Sequence, residues 1–215
     1  ELSRIGALHG LGALGPDGQE AVAERADAVP ATLRTIAGWN TDLLVGHNLA
    51  RHDRRWLARF APGHPALNLP WLDTLVLSPL AFPERPYHRL IKEHRLVRES
   101  RPVPLADCRA TREVLGDERR SLAQLTPPLL DFLRATLADP RVNGASPGYG
   151  MILGGPPPRL EDALPPLQAL LAEHGCATAL AALLPEPDTA LALAYVAAWM
   201  RVPPAKFATT FFETI

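Results

Sequence analysis

The stretch that decides the fold is residues 43–57, LLVGHNLARHDRRWL. Its first part, Leu43 to Gly46, is a short apolar run that ends at a glycine, which predicts a buried, parallel strand. Leu49 to Phe60 then predicts a helix, with Asn48 at the N-cap position. Asp53 would lie within the first two turns of this helix. That position is beside the carboxyl edge of the sheet, where open α/β sheets bind ligands.

Predicted strands and helices alternate on both sides of this stretch. Upstream, Leu2 to His9 predicts a strand, Gly10 to Gly18 a glycine-rich hairpin turn and Gln19 to Ala23 a return strand. Such alternation predicts an α/β fold in which helices cover the faces of a sheet. The remaining elements predicted in this region are a helix at Pro30–Trp39, a strand at Leu67–Leu72, a helix from Asp73-Thr74 to about Leu80, an irregular segment at Pro83–Arg101 and a helix at Leu105–Leu115.

The composition changes after about Leu125, where helices alternate with stretches rich in glycine and proline. The predicted helices are Pro127–Leu137, Leu160–His174 and Asp188–Val202, and Pro147–Pro158 (PGYGMILGGPPP) predicts a linker. We therefore expect two parts. Residues 1–125 form an α/β domain, and residues 126–215 form a small all-α C-terminal appendage or connector.

Composition and charge exclude some classes of protein. The chain has 215 residues with a formal net charge of −1, so it lacks the overall basic excess of a bulk nucleic-acid binder. No apolar run reaches the ~18 residues of a membrane helix, and no signal peptide is visible. The two cysteines, Cys108 and Cys176, form no metal-binding pair and fit buried thiols in a reducing compartment. These features predict a cytoplasmic protein without a membrane partner.

Two local basic runs could still contact phosphates. The first lies at residues 51–59, and the second at residues 85–101, where six cations and two glutamates give a local charge of +4. A solvated charged surface explains the same pattern. The candidate nucleic-acid-binding side chains are Arg51, Arg54, Arg55, Arg89, Lys92 and Arg95.

Asp53 has two explanations that its spacing alone leaves open. A carboxylate at this edge of a sheet is well placed to bind a hard cation such as Mg²⁺. An ordinary surface aspartate near a helix N-terminus, favoured by the helix dipole, explains the same spacing and is the commoner case.

Three segments, taken in order, resemble the motifs of a known family. Gly46-His47-Asn48 precedes Asp53 by a few residues, Leu72-Asp73-Thr74-Leu75 follows, and Pro104–Ala110 carries Asp107. This order and spacing resemble DEDD-type (DnaQ-like) 3′–5′ exonucleases. Residues 71–110 are similar to the exonuclease-like domains found upstream of RecQ-type helicases in some bacteria. The resemblance covers about residues 1–115 well and the tail loosely.

The resemblance implies an RNase H-like mixed sheet flanked by helices, and a DNA repair function. It implies that Asp53 and Asp107 bind Mg²⁺ or Mn²⁺ in a two-metal site, while Asp73 caps a helix and His47 and Asn48 hold the turn. The implied partners are single-stranded or 3′-ended DNA and a helicase domain in the same protein.

The chain also departs from the family pattern. The family's first motif, an Asp-x-Glu pair on the opening strand, is absent, and we expect it on a strand that precedes Glu1. Pro102 and Val103 occupy the positions of the general base, and neither side chain accepts a proton. His94 and His88 are the nearby candidates for a catalytic base, although a structural role explains each of them as well.

Three functions remain open at this point. The chain is part of a metal-dependent exonuclease acting on DNA, or a catalytically inactive exonuclease-like module that binds nucleic acid or docks a partner, or a structural adaptor. The resemblance favours the first, a 3′–5′ exonuclease, whereas the missing base at Pro102 and Val103 favours the second.

Overall fold

A computed structural model describes residues 10–85, 87, 88, 90, 104–142, 144–172 and 187–202. They form two compact units, the first from residues 10–73, 90 and 104–114, and the second from the rest. Both helices and small sheets are present, so the expected mixture of helix and sheet is confirmed. Predictions on the following positions lie outside the described residues: the strand at Leu2–His9, most of Pro83–Arg101 with Arg89, Lys92, His94 and Arg95, and also Pro102, Val103 and Cys176.

The first unit opens with a β-hairpin. Strand β1 (Leu11–Leu14) pairs antiparallel with β2 (Glu20–Ala23), so that Leu11 lies opposite Ala23. The predicted turn at Gly10–Gly18 is therefore wrong in its first half, because that half is a strand. Gly12 lies within β1, and a Cβ atom there would come within 2.7 Å of the Pro104 Cβ. This glycine serves close packing between two elements rather than a turn.

A second pair of strands in this unit is parallel. Strand β3 (Leu44–Gly46) pairs with β4 (Trp71–Asp73), and Gly46 lies opposite Asp73. The strand at Leu44 is confirmed, but it is not fully buried, because Val45 is 38% exposed. The predicted strand at Leu67–Leu72 begins later than expected, because Pro65–Asn68 forms a 3₁₀ turn.

Helices α1 (Val29–Ala37) and α2 (Arg54–Phe60) complete the core of the first unit. The side chains of β2 alternate, and Ala21 and Ala23 point inward. They pack with Val29, Leu33 and Ile36 of α1 and with Leu57 of α2. The 3.6-residue spacing of the apolar positions in α1 explains why one face of this helix is buried.

The second unit is helical. It contains α3 (Thr74–Ala81), α5 (Pro127–Ala138), α6 (Gly148–Leu153), α7 (Leu160–Leu171) and α8 (Pro187–Met200). Helix α4 (Pro104–Leu122) belongs to the first unit up to residue 114 and to the second from residue 115. Helix α5 packs against α6, α7 and α8, and its apolar side chains repeat every three or four residues. These helices confirm the helical character predicted for the tail.

The predicted linker at Pro147–Pro158 is wrong over half its length. Gly148–Leu153 forms α6, in which Tyr149 is fully buried and Leu153 is nearly so. Gly154 and Gly155 adopt positive φ angles of 69° and 74°, where glycine is favoured, and the helix stops there.

Among the residues that the structure describes, no helix is both long and apolar enough to span a bilayer.

Candidate functional site

The candidate site is organised by the turn that follows β3. Asn48 has a left-handed backbone with φ of 66°, and Leu49–Asp53 then forms a π-helical turn that continues into α2. Asp73 ends the neighbouring parallel strand, so its carboxylate faces this turn. Its Oδ1 accepts the backbone N–H of Asn48 at 2.7 Å, and its Oδ2 accepts that of Ala50 at 2.9 Å.

Asp73 is therefore the cap of this helical segment. The first N–H groups of a helix lack partners within the helix, and a carboxylate satisfies them well. Asn48 is the N-cap residue, as predicted, but its side chain makes no capping hydrogen bond. With 2% exposure, Asp73 is a buried structural carboxylate.

Asp53 ends the π-helical turn and remains 43% exposed. Its Oδ1 lies 2.8 Å from Nδ1 of His52, and the carboxylate can only accept in this contact. Partial burial raises the pKa of Asp53, and the charge of Asp73 adds to this increase. The hydrogen bond and charge of His52 and the charge of His47 lower the same pKa. The carboxylate therefore lies close to two imidazoles while keeping access to solvent.

Asp107 lies in the first turn of α4, also in the first unit, and its side chain is half-buried. The next residue, Cys108, is influenced by the charges of both Asp107 and Asp53. The pKa of the Cys108 thiol is raised to about 11, chiefly by burial and also by the charges of Asp107 and Asp53, while Arg109 lowers it. Two carboxylates from different elements therefore lie within electrostatic range of one sulfur.

Cys108 also fixes α4 against the hairpin. Its Sγ lies 3.2 Å from the carbonyl oxygen of Gly12, the residue of β1 that has no side chain to separate the two backbones. Close to this contact, Arg109 forms an ion pair with Glu20 of β2 at 2.5 Å. The first turn of α4, and with it Asp107, is thus held on the hairpin.

This arrangement supplies part of a metal site. Carboxylate oxygens from two elements are the ligand type that Mg²⁺ and Mn²⁺ prefer. Within the described ranges, however, no group of three or more His, Cys, Asp or Glu side chains is placed to hold a metal ion. The described residues therefore do not by themselves fit the two-metal site that the resemblance implies.

The basic side chains near Asp53 differ in their availability. Arg51 and Arg55 are exposed. Arg54 instead donates to the carbonyl oxygen of Leu67 at 3.2 Å, and its guanidinium lies 5.0 Å from the centre of the Trp71 ring. Arg54 thus holds the chain between α2 and β4, and only Arg51 and Arg55 of the predicted side chains on this helix are presented to solvent.

Neither candidate base belongs to the described part of the first unit. His88 belongs to the second unit, where its side chain is half-buried, and its catalytic role stays a prediction, as does that of His94. Two neighbours of the carboxylates were missed. His52 and Cys108 are each adjacent in sequence to a predicted ligand, and this adjacency was the signal that could have found them.

Comparisons of the chain with protein-family models, with curated proteins and with solved structures find no match.

Proposed function

We propose that the chain is part of a metal-dependent 3′–5′ exonuclease domain of RNase H-like fold that acts on DNA, with Asp53 and Asp107 as metal ligands. The observation that supports this proposal best is that Asp53, at the end of the turn after β3, and Asp107, in the first turn of α4, belong to one compact unit although they are 54 positions apart in the chain. A pair of carboxylates at the ends of two elements is the usual start of a site for a hard cation.

Each neighbour of the pair has a role in this proposal. A bound divalent cation would stabilise negative charge on a phosphate and lower the pKa of a bound water. His52 orients the Asp53 carboxylate through the 2.8 Å contact, and Asp73 holds the turn that carries Asp53. Arg51 and Arg55 are exposed on the same helical segment, where they would contact the DNA backbone.

The proposal requires more carboxylates than Asp53 and Asp107. A two-metal mechanism needs several ligands that hold both ions about 4 Å apart. In the family that the chain resembles, an Asp-x-Glu pair on the opening strand supplies these further ligands. It also requires a base, for which His94 and His88 remain the candidates.

A second function is favoured by a specific observation. Because no described cluster of three metal ligands exists, the fold could serve as an inactive module that binds nucleic acid or docks a partner within a helicase-containing protein. Pro102 and Val103, at the positions of the family's base, favour this alternative as well. In this inactive module, Arg51 and Arg55 would still contact phosphates, and Asp53 would not bind a metal ion.

The test is degradation of a 5′-labelled DNA single strand by the full natural protein. With Mg²⁺ or Mn²⁺ the proposal expects a ladder of products shortened from the 3′ end, and none with EDTA. Substituting even the outer partners of metal ligands costs about 10–100-fold. We therefore expect Asp53→Asn and Asp107→Asn each to reduce the rate by at least about 100-fold.

Matched variants separate a metal role from a general loss of charge. Asp42→Asn changes an exposed carboxylate that precedes β3, and Glu113→Gln changes an exposed one on α4, so both should keep full activity. If the natural protein binds the strand but does not shorten it with either metal, the catalytic proposal is wrong and the binding module remains.

A further inference from the structure

A cleft of about 410 Å³ lies in the second unit. One wall is the C-terminal half of α4, where Gly116, Arg119, Arg120 and Ala123 are spaced by three or four residues and so share one face. The facing wall contains Leu130 of α5 together with Ile152 and Leu153 of α6. Two of the wall residues are therefore cations, and the others are apolar or small.

The apolar part of the cleft is part of the folded core. Leu122 and Leu153 are 2% and 8% exposed, while Leu130 and Ile152 are half-buried and border the open side. Arg134 holds the facing wall, because its guanidinium donates to the carbonyl oxygen of Leu153 at 2.9 Å and pairs with Asp131 at 2.9 Å. A preformed apolar wall of this kind favours an apolar group.

Arg119 gives the cleft its net positive charge. Arg120 is ion-paired with Asp117 on its own helix. Arg119 is exposed, and no carboxylate of the described residues pairs with it. Since no acidic side chain lines the cleft, a ligand there meets an excess of positive charge. Guanidinium groups bind carboxylates through paired hydrogen bonds.

Gly116 supports a ligand independently of charge. It lies inside α4, where glycine costs roughly 1 kcal/mol relative to alanine. The backbone does not require it, because its φ is not positive and the nearest atom to an added Cβ, Nη1 of Arg120, would lie at an ordinary 3.6 Å. Its effect is to leave space on the wall of the cleft.

We propose that this cleft binds a small amphipathic anion, with its apolar body against the leucines and its carboxylate on Arg119. Eight residues line the cleft, whereas a protein partner contacts about 20–30 residues on each side. Its volume lies at the lower end of the ~300–1,000 Å³ of small-molecule sites. The proposal does not depend on the exonuclease function.

The experiment is a calorimetric titration of the purified chain with octanoate, with octan-1-ol and octylammonium as probes of equal length. We expect saturable binding of octanoate, weaker binding of octan-1-ol and none of octylammonium. Loss of one charged hydrogen-bond partner is worth more than ~1.4 kcal/mol, so Arg119→Gln should weaken octanoate by about 10-fold or more.

Two further variants test the position of the ligand. Gly116→Leu should abolish octanoate binding by filling the cleft, and Gly116→Ala, which the helix accommodates, should weaken it. Arg112→Gln changes an exposed arginine of α4 that does not line the cleft, and it should bind as the unmodified chain does. The proposal is overturned if octanoate does not saturate, if octylammonium binds equally well, or if Arg119→Gln leaves the affinity unchanged.

Discussion

At the scale of single residues, Asp73 is the most consequential side chain of the turn. Its buried carboxylate accepts two backbone N–H groups, from Asn48 and Ala50. Asp73→Asn replaces one acceptor oxygen by an NH₂ group that faces a donor. We expect a loss of about 1–3 kcal/mol in the free energy of unfolding, measured by urea denaturation of the chain. Asp42→Asn, at an exposed position, should change little, and equal losses in both variants would contradict the capping role.

Asp53 should show the opposite sign. Burial raises the pKa of Asp53 in the folded chain, so its ionised form is less favourable there than in the unfolded chain. This cost is absent below the unfolded pKa and complete above the folded pKa. Asp53→Asn should therefore raise the free energy of unfolding at neutral pH, by less than about 1 kcal/mol because the side chain is half-exposed.

Urea denaturation at two pH values checks this prediction. The gain from Asp53→Asn should disappear at about pH 3, where an ordinary aspartate is already mostly protonated. A variant that is less stable than the unmodified chain at neutral pH would show that Asp53 is a stabilising residue. In that case a structural role would be enough to explain Asp53.

These residue-scale properties were only partly predictable. A run of apolar residues that ends in Gly-His-Asn predicts a turn at Asn48, and the turn is there. Its cap comes from Asp73, 25 positions away, and a local pattern cannot show such a partner. Likewise, the contact of Cys108 with Gly12 of β1 depends on how α4 packs on the hairpin.

At the scale of elements, two glycines in regular structure should respond in opposite ways to alanine. A Cβ at Gly12 would lie 2.7 Å from the Pro104 Cβ and 2.8 Å from its carbonyl carbon. Gly12→Ala should therefore cost about 1–3 kcal/mol, as overpacking does. At Gly116 the added Cβ meets only an ordinary contact, so Gly116→Ala should gain up to about 1 kcal/mol.

Thermal and urea denaturation of both variants test this pair of expectations. A Gly12→Ala variant as stable as the unmodified chain would contradict the close contact between β1 and the start of α4. A destabilised Gly116→Ala would mean that this glycine is required by the helix, and its use to leave space in the cleft would lose its support.

At this scale, the spacing of apolar residues predicts elements better than glycine content does. For helices with regular apolar spacing, such as α1, α5 and α7, the predicted ends lie within a few residues of the observed ends. Glycine-rich segments are harder to interpret, because glycine marks a turn in a sequence but also permits close packing. Leu11–Leu14 and Gly148–Leu153 are both regular elements for which glycine content suggested turns.

At the scale of the whole molecule, contacts far apart in sequence determine the second unit. The hydroxyl of Tyr195 on α8 donates to the carbonyl oxygen of Val76 on α3 at 3.1 Å. Ser78 of α3 donates to the buried Glu118 at 2.5 Å, and Ser121 donates to Ala81 at 2.6 Å. The boundary expected after residue 125 came from composition, and composition does not register such contacts, which place α3 with the tail helices.

The RNase H-like fold stays a prediction at this scale. The described strands form two separate two-stranded sheets, one antiparallel and one parallel. Parallel pairing of β3 and β4, with α2 between them in the chain, is the part of the predicted α/β arrangement that the structure contains. This pairing places Gly46 and Asp73 at one edge of the two-stranded sheet. The turn that follows Gly46 carries the proposed metal ligand Asp53.

The central claim is that Asp53 and Asp107 share one site, and the pKa of Cys108 measures it most directly. The measurement is the pH dependence of Cys108 alkylation, followed by peptide mass spectrometry to separate it from Cys176. We expect a pKa of about 11 in the unmodified chain and a lower pKa in both Asp53→Asn and Asp107→Asn, because each removes a negative charge near the thiol. Asp42→Asn should leave it unchanged. A Cys108 pKa that Asp53→Asn leaves unaltered would contradict the shared site, whereas a pKa near the ordinary ~8.5 would contradict the burial of the thiol.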